Sequence, residues 1–413
     1  MTNNVLKRSL QISVLFLAAG VVSVAQAQTF AESVQAARRA DAQFSAALAA
    51  AQSRRATSRQ SAGAFYPVAS VNYNSADPNY GGRNSRTIAL QQPILSYDRY
   101  LTLQQSDPLA ALADAEEAQA ENEMTLRVFA AMADIVRNRE QIRALGVQIE
   151  GLEEQLRRAT RMRELGQGTV TEVSDFQVRV AAAQANRVNL RNALQAAERS
   201  YTLLTGLRAN VAALQVDVPA WADPREPDAV VAQVRDDSPQ SRVARLNVRL
   251  AEIAAKRVPA QYMPQVAAQL ANTQVPGYTQ TNTSRVAVTL TAPLGSSPYY
   301  DYQRAAADLA KAQDNLRFAQ DTQANEATRL LSAIRSYRDE VQIRREAVEI
   351  ARQSVEANIK SYQGGVKTNI DVISSYQAQA DAEVGLVNSN ISLSEAQLRL
   401  GLLTSTAPAA ARP

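Results

Sequence analysis

The sequence predicts a mainly helical protein with a small β part, built on a helix, two-strand, long-helix, turn, helix plan that is laid down twice. Three observations predict it. Residues 166–204 repeat at 365–403 with an offset of 199 and no gap; a period of that size marks a duplicated structural unit. One stretch, 299–363, contains neither proline nor glycine, a composition that sustains a single long helix. Four runs alternate apolar and polar residues, two in each half, and tyrosines stand beside them.

Composition narrows the function. The chain has 413 residues, with 44 Lys and Arg against 40 Asp and Glu, no cysteine and no histidine. Without these two residue types there is no zinc or haem site of the usual kind, no disulfide framework, and no Cys or Ser–His nucleophile pair. Neither a Gly-rich phosphate loop after a strand nor a paired-carboxylate pocket is found, so no enzyme and no cofactor are expected. Hydrophobic residues make up 46% of the chain and aromatics 5%; small aliphatic side chains of this kind suit close helix–helix packing.

Residues 1–27 are predicted to be a signal peptide: Lys7 and Arg8 form the basic start, residues 12–24 the apolar stretch, and Ala25-Gln26-Ala27 the cleavage site. Its removal lowers the net charge from +4 to +2 by taking away Lys7 and Arg8, which gives no reason to expect a nucleic-acid partner. No later run approaches the roughly 20 apolar residues of a spanning helix. The mature chain is therefore expected to be periplasmic or secreted, or to enter a membrane as strands.

The first half is read as 28–206. Residues 31–61 are rich in Ala, Gln and Arg without Pro or Gly, a helix. A hairpin at about 66–96 follows, in which Ala69, Val71 and Tyr73 alternate with Ser70, Asn72 and Asn74, and Ile88, Leu90 and Ile94 with Thr87 and Gln91. Asp77-Pro78-Asn79-Tyr80-Gly81-Gly82 between them has turn chemistry. A long helix begins near Asp98 or restarts at Asp107-Pro108 and reaches Leu165; Leu126, Phe129, Met132, Val136, Leu145, Ile149, Leu152 and Leu156 recur at three and four, a coiled-coil seam interrupted by Gly146 and Gly151. A turn at 166–169 and a further helix complete the half. Residues 207–228, with Pro219, Trp221, Pro224 and Pro227, break the helical pattern and form a linker.

The second half, 229–405, repeats the order, with a hairpin at about 264–295 carrying Val266, Ala268 and Leu270 and then Val286, Val288 and Leu290. Ser297-Pro298 reads as an N-cap with proline at the first helical position; the helix then runs to Gly364, about 100 Å at 1.5 Å per residue. A turn at 364–368, a last helix and a tail at 406–413 follow.

The four strands have the length of membrane β-strands but are equally compatible with two hairpins of a soluble domain. Tyrosine placement favours the membrane. Ten of 14 tyrosines fall in or beside the strands, with Tyr66, Tyr97, Tyr100, Tyr262, Tyr299 and Tyr300 the candidates for an interfacial girdle. Four strands cannot close a barrel, so membrane strands require oligomerisation. Thr169 with Glu172, and Thr368 with Asp371, both fit the capping box in which Thr caps a helix and the acid at N3 bonds back.

Taken together, the duplicated plan, the tyrosine-flanked strands with Pro67, Pro93, Pro264 and Pro293, and the paired turns Gly166-Gln167-Gly168-Thr169-Val170-Thr171-Glu172-Val173 and Gly365-Val366-Lys367-Thr368-Asn369-Ile370-Asp371-Val372 resemble the TolC family of outer-membrane channels. The resemblance implies a homotrimer in outer-membrane lipid, with a twelve-strand β-barrel continued by an α-helical barrel across the periplasm. It also implies a periplasmic adaptor and an inner-membrane transporter, ABC or proton-driven, as partners. At the periplasmic entrance it places Tyr362 and Lys367 against Thr171 and Glu172; Lys367 in place of the family's Arg lacks a bidentate fork, so a looser gate is expected. Asp371 matches one of two lumenal acidic rings, the other position being Ser374, with Asp175 a candidate substitute. Capping and lumen roles for Glu172 and Asp371 both remain open at this stage. So does the cargo, protein or small molecules, although the lack of His and the five Met argue against a copper or silver conduit. A coiled-coil structural or adaptor protein without a pore is the alternative.

Overall fold

The computed structural model describes residues 29–75, 84–216, 226–275, 281–292 and 298–404. The signal peptide, the turns at 77–82 and 276–277, Trp221, Pro293, Ser297 and the tail 406–413 lie outside the described residues. In chain order the elements are α1 (Phe30–Ala40), α2 (Ala42–Ala62), β1 (Val68–Asn74), β2 (Ser85–Leu95), α3 (Tyr97–Gln104), α4 (Ser106–Glu164), α5 (Val170–Thr205), α6 (Pro227–Asp237), α7 (Pro239–Ala260), β3 (Gln265–Val275), β4 (Thr281–Thr291), α8 (Pro298–Gln363) and α9 (Asn369–Leu403).

The helix expected over 31–61 is broken in two. Asp41 leaves helical geometry (φ −71°, ψ 113°), closes α1 and caps α2 by accepting the Gln43 N–H at 3.0 Å. Its other carboxylate oxygen pairs with Arg127 of α4. A short acidic side chain that bonds its own backbone competes with helix continuation, and the arginine fixes the outcome. Both proposed starts of the first long helix are used: α3 begins at Tyr97 behind the Ser96 cap, and α4 restarts after Gln105.

Long helix α4 contacts α1, α2, α5, α7 and α9. Around its middle, Met124, Val128, Phe129, Met132 and Ile135 form a core with Phe30, Val34 and Phe44 of the first two helices, Tyr201 of α5, and Ile391, Leu398 and Leu402 of α9. Tyr201 is fully buried and its hydroxyl meets Ser33 Oγ at 2.8 Å. Leu214, from the segment after α5, is buried in the same core, and Arg139 ties that segment down by donating to the Val211 and Leu214 carbonyls at 2.8 and 3.1 Å. Helix α8 packs on α9, α7 and α6; Val230 and Val234 meet Leu330, Ile334 and Leu400 there.

The strands form one antiparallel sheet in the order β1-β2-β3-β4. Pairing of β2 with β3 joins the two halves, and the register shifts between Pro93 and Leu95. Proline has no N–H to give to the ladder, so a bulge at that position is expected of a strand paired on both sides. At the sheet's margins β1 and β4 each pair on one side only.

Candidate functional site

The turns that end the two long helices have the same backbone. Gly166 and Gly365 both adopt φ 73°, left-handed geometry that costs glycine least. Gly166 N–H bonds Arg163 O at 3.0 Å and Gln167 N–H bonds Met162 O at 2.9 Å; Gly365 N–H bonds Tyr362 O at 3.1 Å and Val366 N–H bonds Ser361 O at 3.0 Å. These are Schellman closures of the orphan carbonyls, superposed on one another by the sequence offset.

The following helix starts also correspond, with a difference of detail. Thr169 Oγ accepts the Glu172 N–H and Glu172 accepts the Thr169 N–H, both at 3.2 Å. In the second turn Asp371 Oδ2 receives both the Thr368 N–H at 2.9 Å and the Thr368 hydroxyl at 2.8 Å. Those two bonds, backbone first, and then the charge of Lys367 hold the Asp371 carboxyl below the usual aspartate range. Lys367 Nζ lies 3.5 Å from Asp371 Oδ1.

Below the turns lies an apolar core made by both hairpins: Leu152 and Ala159 of α4, Val173, Phe176 and Val180 of α5, Val355 of α8, and Val372, Ile373 and Tyr376 of α9. The residues expected at the entrance meet this core unequally. Tyr362 packs at its edge, and burial, then the Glu172 charge, push its phenol pKa up while Arg158 opposes them. The Glu172 charge on one hairpin is thus felt by the Tyr362 phenol on the other. Within the single chain Lys367 turns to Asp371 rather than to Glu172, and Thr171 is exposed. Asp175 accepts from Asn369 Nδ2 at 3.1 Å, a polar link between the hairpins.

Several contacts were not foreseen. Gly151 lies under the Tyr376 ring, where an added Cβ would stand 2.3 Å from ring carbons. Gln148 donates to Gln377 at 2.8 Å. Glu383 of α9, 7% exposed, receives Arg352 Nη2 at 3.2 Å and has Arg143 Nη2 at 3.8 Å, so one carboxylate joins α4, α8 and α9. Nothing local in the sequence marks these pairs, because each depends on which residue of a different helix lies alongside.

At the other end, the sheet has two unlike faces. Ala69, Leu90, Leu270 and Val286 share one row across all four strands, and with Val71, Ile88, Val288 and Leu290 they make an exposed apolar face; Val286 is 79% exposed. The reverse face carries Ser70, Asn72, Thr87, Gln91, Gln269, Thr273 and Thr289, with a Thr87–Thr273 hydroxyl contact of 3.0 Å. Tyr66, Tyr97, Tyr100, Tyr299, Tyr300 and Tyr302 are exposed where helices and sheet join. Tyr97 stacks on Tyr100, Tyr299 packs edge-on to Tyr300, and Tyr262 donates to Asp301 at 3.3 Å. Tyr73 lies toward the far end of β1. No described helix is long and apolar enough to cross a membrane.

The chain thus combines a sheet that is apolar on one face and polar on the other with two long helices, α4 and α8, the longer about 100 Å at 1.5 Å per residue, each ending in one of the paired turns. No protein-family profile matches the chain. It is 29% identical over 166 residues to the alkaline protease secretion protein AprF of Pseudomonas aeruginosa, covering 40% of this chain and 32% of that protein. It is 25% identical over 111 residues to the proteases secretion protein PrtF of Dickeya chrysanthemi, covering 27% and 24%. Each match spans less than a third of the relative's length. Among solved structures the chain is similar to the outer membrane protein VceC of Vibrio cholerae, at a TM-score of 0.75 and 15% identity over 91% of this chain and 95% of that one. It is similar to the CmeC outer membrane channel of Campylobacter jejuni at 0.75 and 13%, over 91% and 85%. The chain thus has the fold of these solved outer-membrane proteins.

Proposed function

We propose that this chain is the outer-membrane subunit of a three-part export system. Three copies join β4 of one to β1 of the next and close a twelve-strand barrel, and their helices form the tunnel that crosses the periplasm. The channel conducts passively, receiving substrate from an inner-membrane transporter through a periplasmic adaptor. The observation that carries this reading is the sheet: its apolar face is exposed, its reverse is polar, and β1 and β4 each leave an edge unpaired. An open edge of that kind in a soluble protein invites aggregation, whereas barrel closure satisfies it and puts the apolar face in lipid. Tyr66, Tyr97, Tyr100, Tyr262, Tyr299 and Tyr300 then stand at headgroup level on the periplasmic side.

Protein is the favoured cargo, because both curated relatives are named for protease secretion. The reading takes residues 1–27 as a signal peptide and 28–206 and 229–405 as two structural repeats. The paired turns form the periplasmic entrance, with Tyr362 and Lys367 facing Thr171 and Glu172 of a hairpin alongside. Asp371 and Asp175 supply acidic charge near that constriction, where several close carboxylates raise the local cation concentration. In the assembled trimer Lys367 exchanges Asp371 for Glu172.

Fractionation and electrophoresis test the proposal. The protein sediments with outer membranes and migrates as a heat-modifiable oligomer, and in planar bilayers it gives discrete conductance steps. Recovery only in the soluble periplasm, with no conductance, would show a coiled-coil adaptor instead. Asp371→Ala that leaves cation preference unchanged would remove the acid from the constriction.

A further inference from the structure

The reverse face of the sheet carries one formal charge. Arg285 of β4 stands opposite Ala271, Ala271 opposite Ala89, and Ala89 opposite Ser70. Directly paired residues of antiparallel strands share a face, so Arg285 lies on the side of Thr87, Gln91, Gln269 and Thr289, not on that of Val286 and Leu290. Ala89 is 6% exposed on that face, and its small neighbours leave the long side chain room to extend. The four strands contain no Asp or Glu, and their other arginine, Arg86, is in the rank of Ile88 and Leu90, opposite Tyr73. Arg285 is exposed and has no ion pair with any described residue.

We propose that Arg285 forms an anion-attracting ring inside the barrel and sets the charge preference of the exit, favouring anionic solutes and acidic polypeptide segments. The proposal rests on the barrel closure put forward above. Twelve strands about 4.8 Å apart and tilted about 40° enclose a wall of radius about 12 Å. Three guanidinium groups reaching some 6 Å inward leave an opening of roughly 12 Å. Screening lengths of about 8 Å at 0.15 M salt and about 3 Å at 1 M mean that their fields fill this opening at physiological salt and contract to the wall at high salt. No acid of the four strands offsets them. With acids at the entrance, the two ends of the conduit then have opposite charge preference.

The test uses purified full-length protein in planar bilayers, under a KCl gradient near 0.1 M and again near 1 M. Arg285→Gln lowers the chloride-to-potassium permeability ratio about twofold or more at low salt and Arg285→Glu lowers it further, while both differences fade at high salt. The native chain has no cysteine, which permits a second measurement independent of these variants. In Arg285→Cys, open channels react with water-soluble charged methanethiosulfonates, a sulfonatoethyl adduct lowering the ratio and a trimethylammonium adduct restoring it; Val286→Cys, facing lipid, does not react. Equal permeability ratios in wild type, Arg285→Gln and Arg285→Glu at low salt would overturn the ring and leave the channel reading intact. So would labelling of Val286→Cys in place of Arg285→Cys. Wild-type protein that gives no conductance would overturn both.

Discussion

Replacing Gly151 by alanine tests the closest approach between the two hairpins. A Cβ there would lie 2.3 Å from Cε1 and Cζ of Tyr376 and 2.6 Å from its Oη, well inside van der Waals contact. The ring has little space to move, since Tyr376 is 8% exposed and packs with Phe176, Val372 and Ile373. Overpacking of this kind costs about 1–3 kcal/mol. Alanine also favours the helix over glycine by about 1 kcal/mol, so the net change is between neutral and about 2 kcal/mol destabilising. Gly146 separates the two effects: nothing lies within 4 Å of its Cβ position, and Gly146→Ala shows the propensity gain alone. The difference between the two variants therefore measures the steric term. Amide hydrogen exchange of residues 148–155 and 372–380 reads it directly, because 1–3 kcal/mol of local opening is about 5- to 150-fold in exchange rate. Tyr376→Leu in the Gly151→Ala background recovers part of the protection. If Gly151→Ala slows exchange as much as Gly146→Ala does, α4 and α9 are not packed at this distance and the reasoning fails.

Phe176→Ala empties the centre of the core beneath the turns, where Phe176 is fully buried; a loss of about 3–5 kcal/mol is expected as a lower denaturant midpoint. Glu383→Gln leaves Arg352 and Arg143 without their shared carboxylate. Both arginines are about half exposed and screened, so the cost is about 1–3 kcal/mol rather than the full value for a buried pair, measured by thermal unfolding. Asp371 has a folded pKa below its unfolded one, so its capping stabilisation is fully present above the ordinary aspartate value and is lost as pH falls through the lower, folded one. Exchange protection at residues 369–372 accordingly persists through mild acid and drops only below about pH 4, whereas in Asp371→Asn the acid-dependent drop is absent.

What could be read from the sequence was what neighbours along the chain decide. The turn at Gly166 needs only a left-handed residue and a capping Thr three residues on, and both are visible in the sequence, as are the strand faces in their alternation. Asp41 shows the limit: no Pro or Gly marks the break between α1 and α2, which depends on Arg127 arriving from α4. The coiled-coil seam on α4 was legible in Phe129, Met132, Ile149 and Leu152, all buried. Its companions Ala144, Gln148 and Gln155 were not, because α4 changes partners along its length. Salt bridges from Arg54 and Arg55 bind its first turns to α2, and Gln184 of α5 reaches Glu153 near its other end. A face chosen by successive neighbours does not keep one stripe. At the turns the Lys367–Asp371 pair was hidden by the reading of Asp371 as cap or ring only.

The duplication separates these two kinds of residue. Positions that match across the offset of 199, Gly166 with Gly365, Thr169 with Thr368 and Val173 with Val372, do the same local work twice: they turn the chain, cap a helix or face the core. Some of the positions that differ lie where one hairpin touches the other. Asp175 corresponds to Ser374 and Asn369 to Val170, so the Asp175–Asn369 bond has no reciprocal partner, and Tyr362 corresponds to Arg163, so only one turn offers a phenol to the other. Gly168 shows why the fourth difference is constrained. Its Cβ would come within 2.9 Å of the Arg163 N atom, leaving the first turn no room for a side chain, whereas the corresponding Lys367 is exposed and pairs with Asp371. Two identical hairpins would present the same surface to each other. This pair instead sets a turn carrying Glu172 beside one carrying Tyr362 and Lys367, so the two turns offer each other different chemistry on the same glycine backbone geometry.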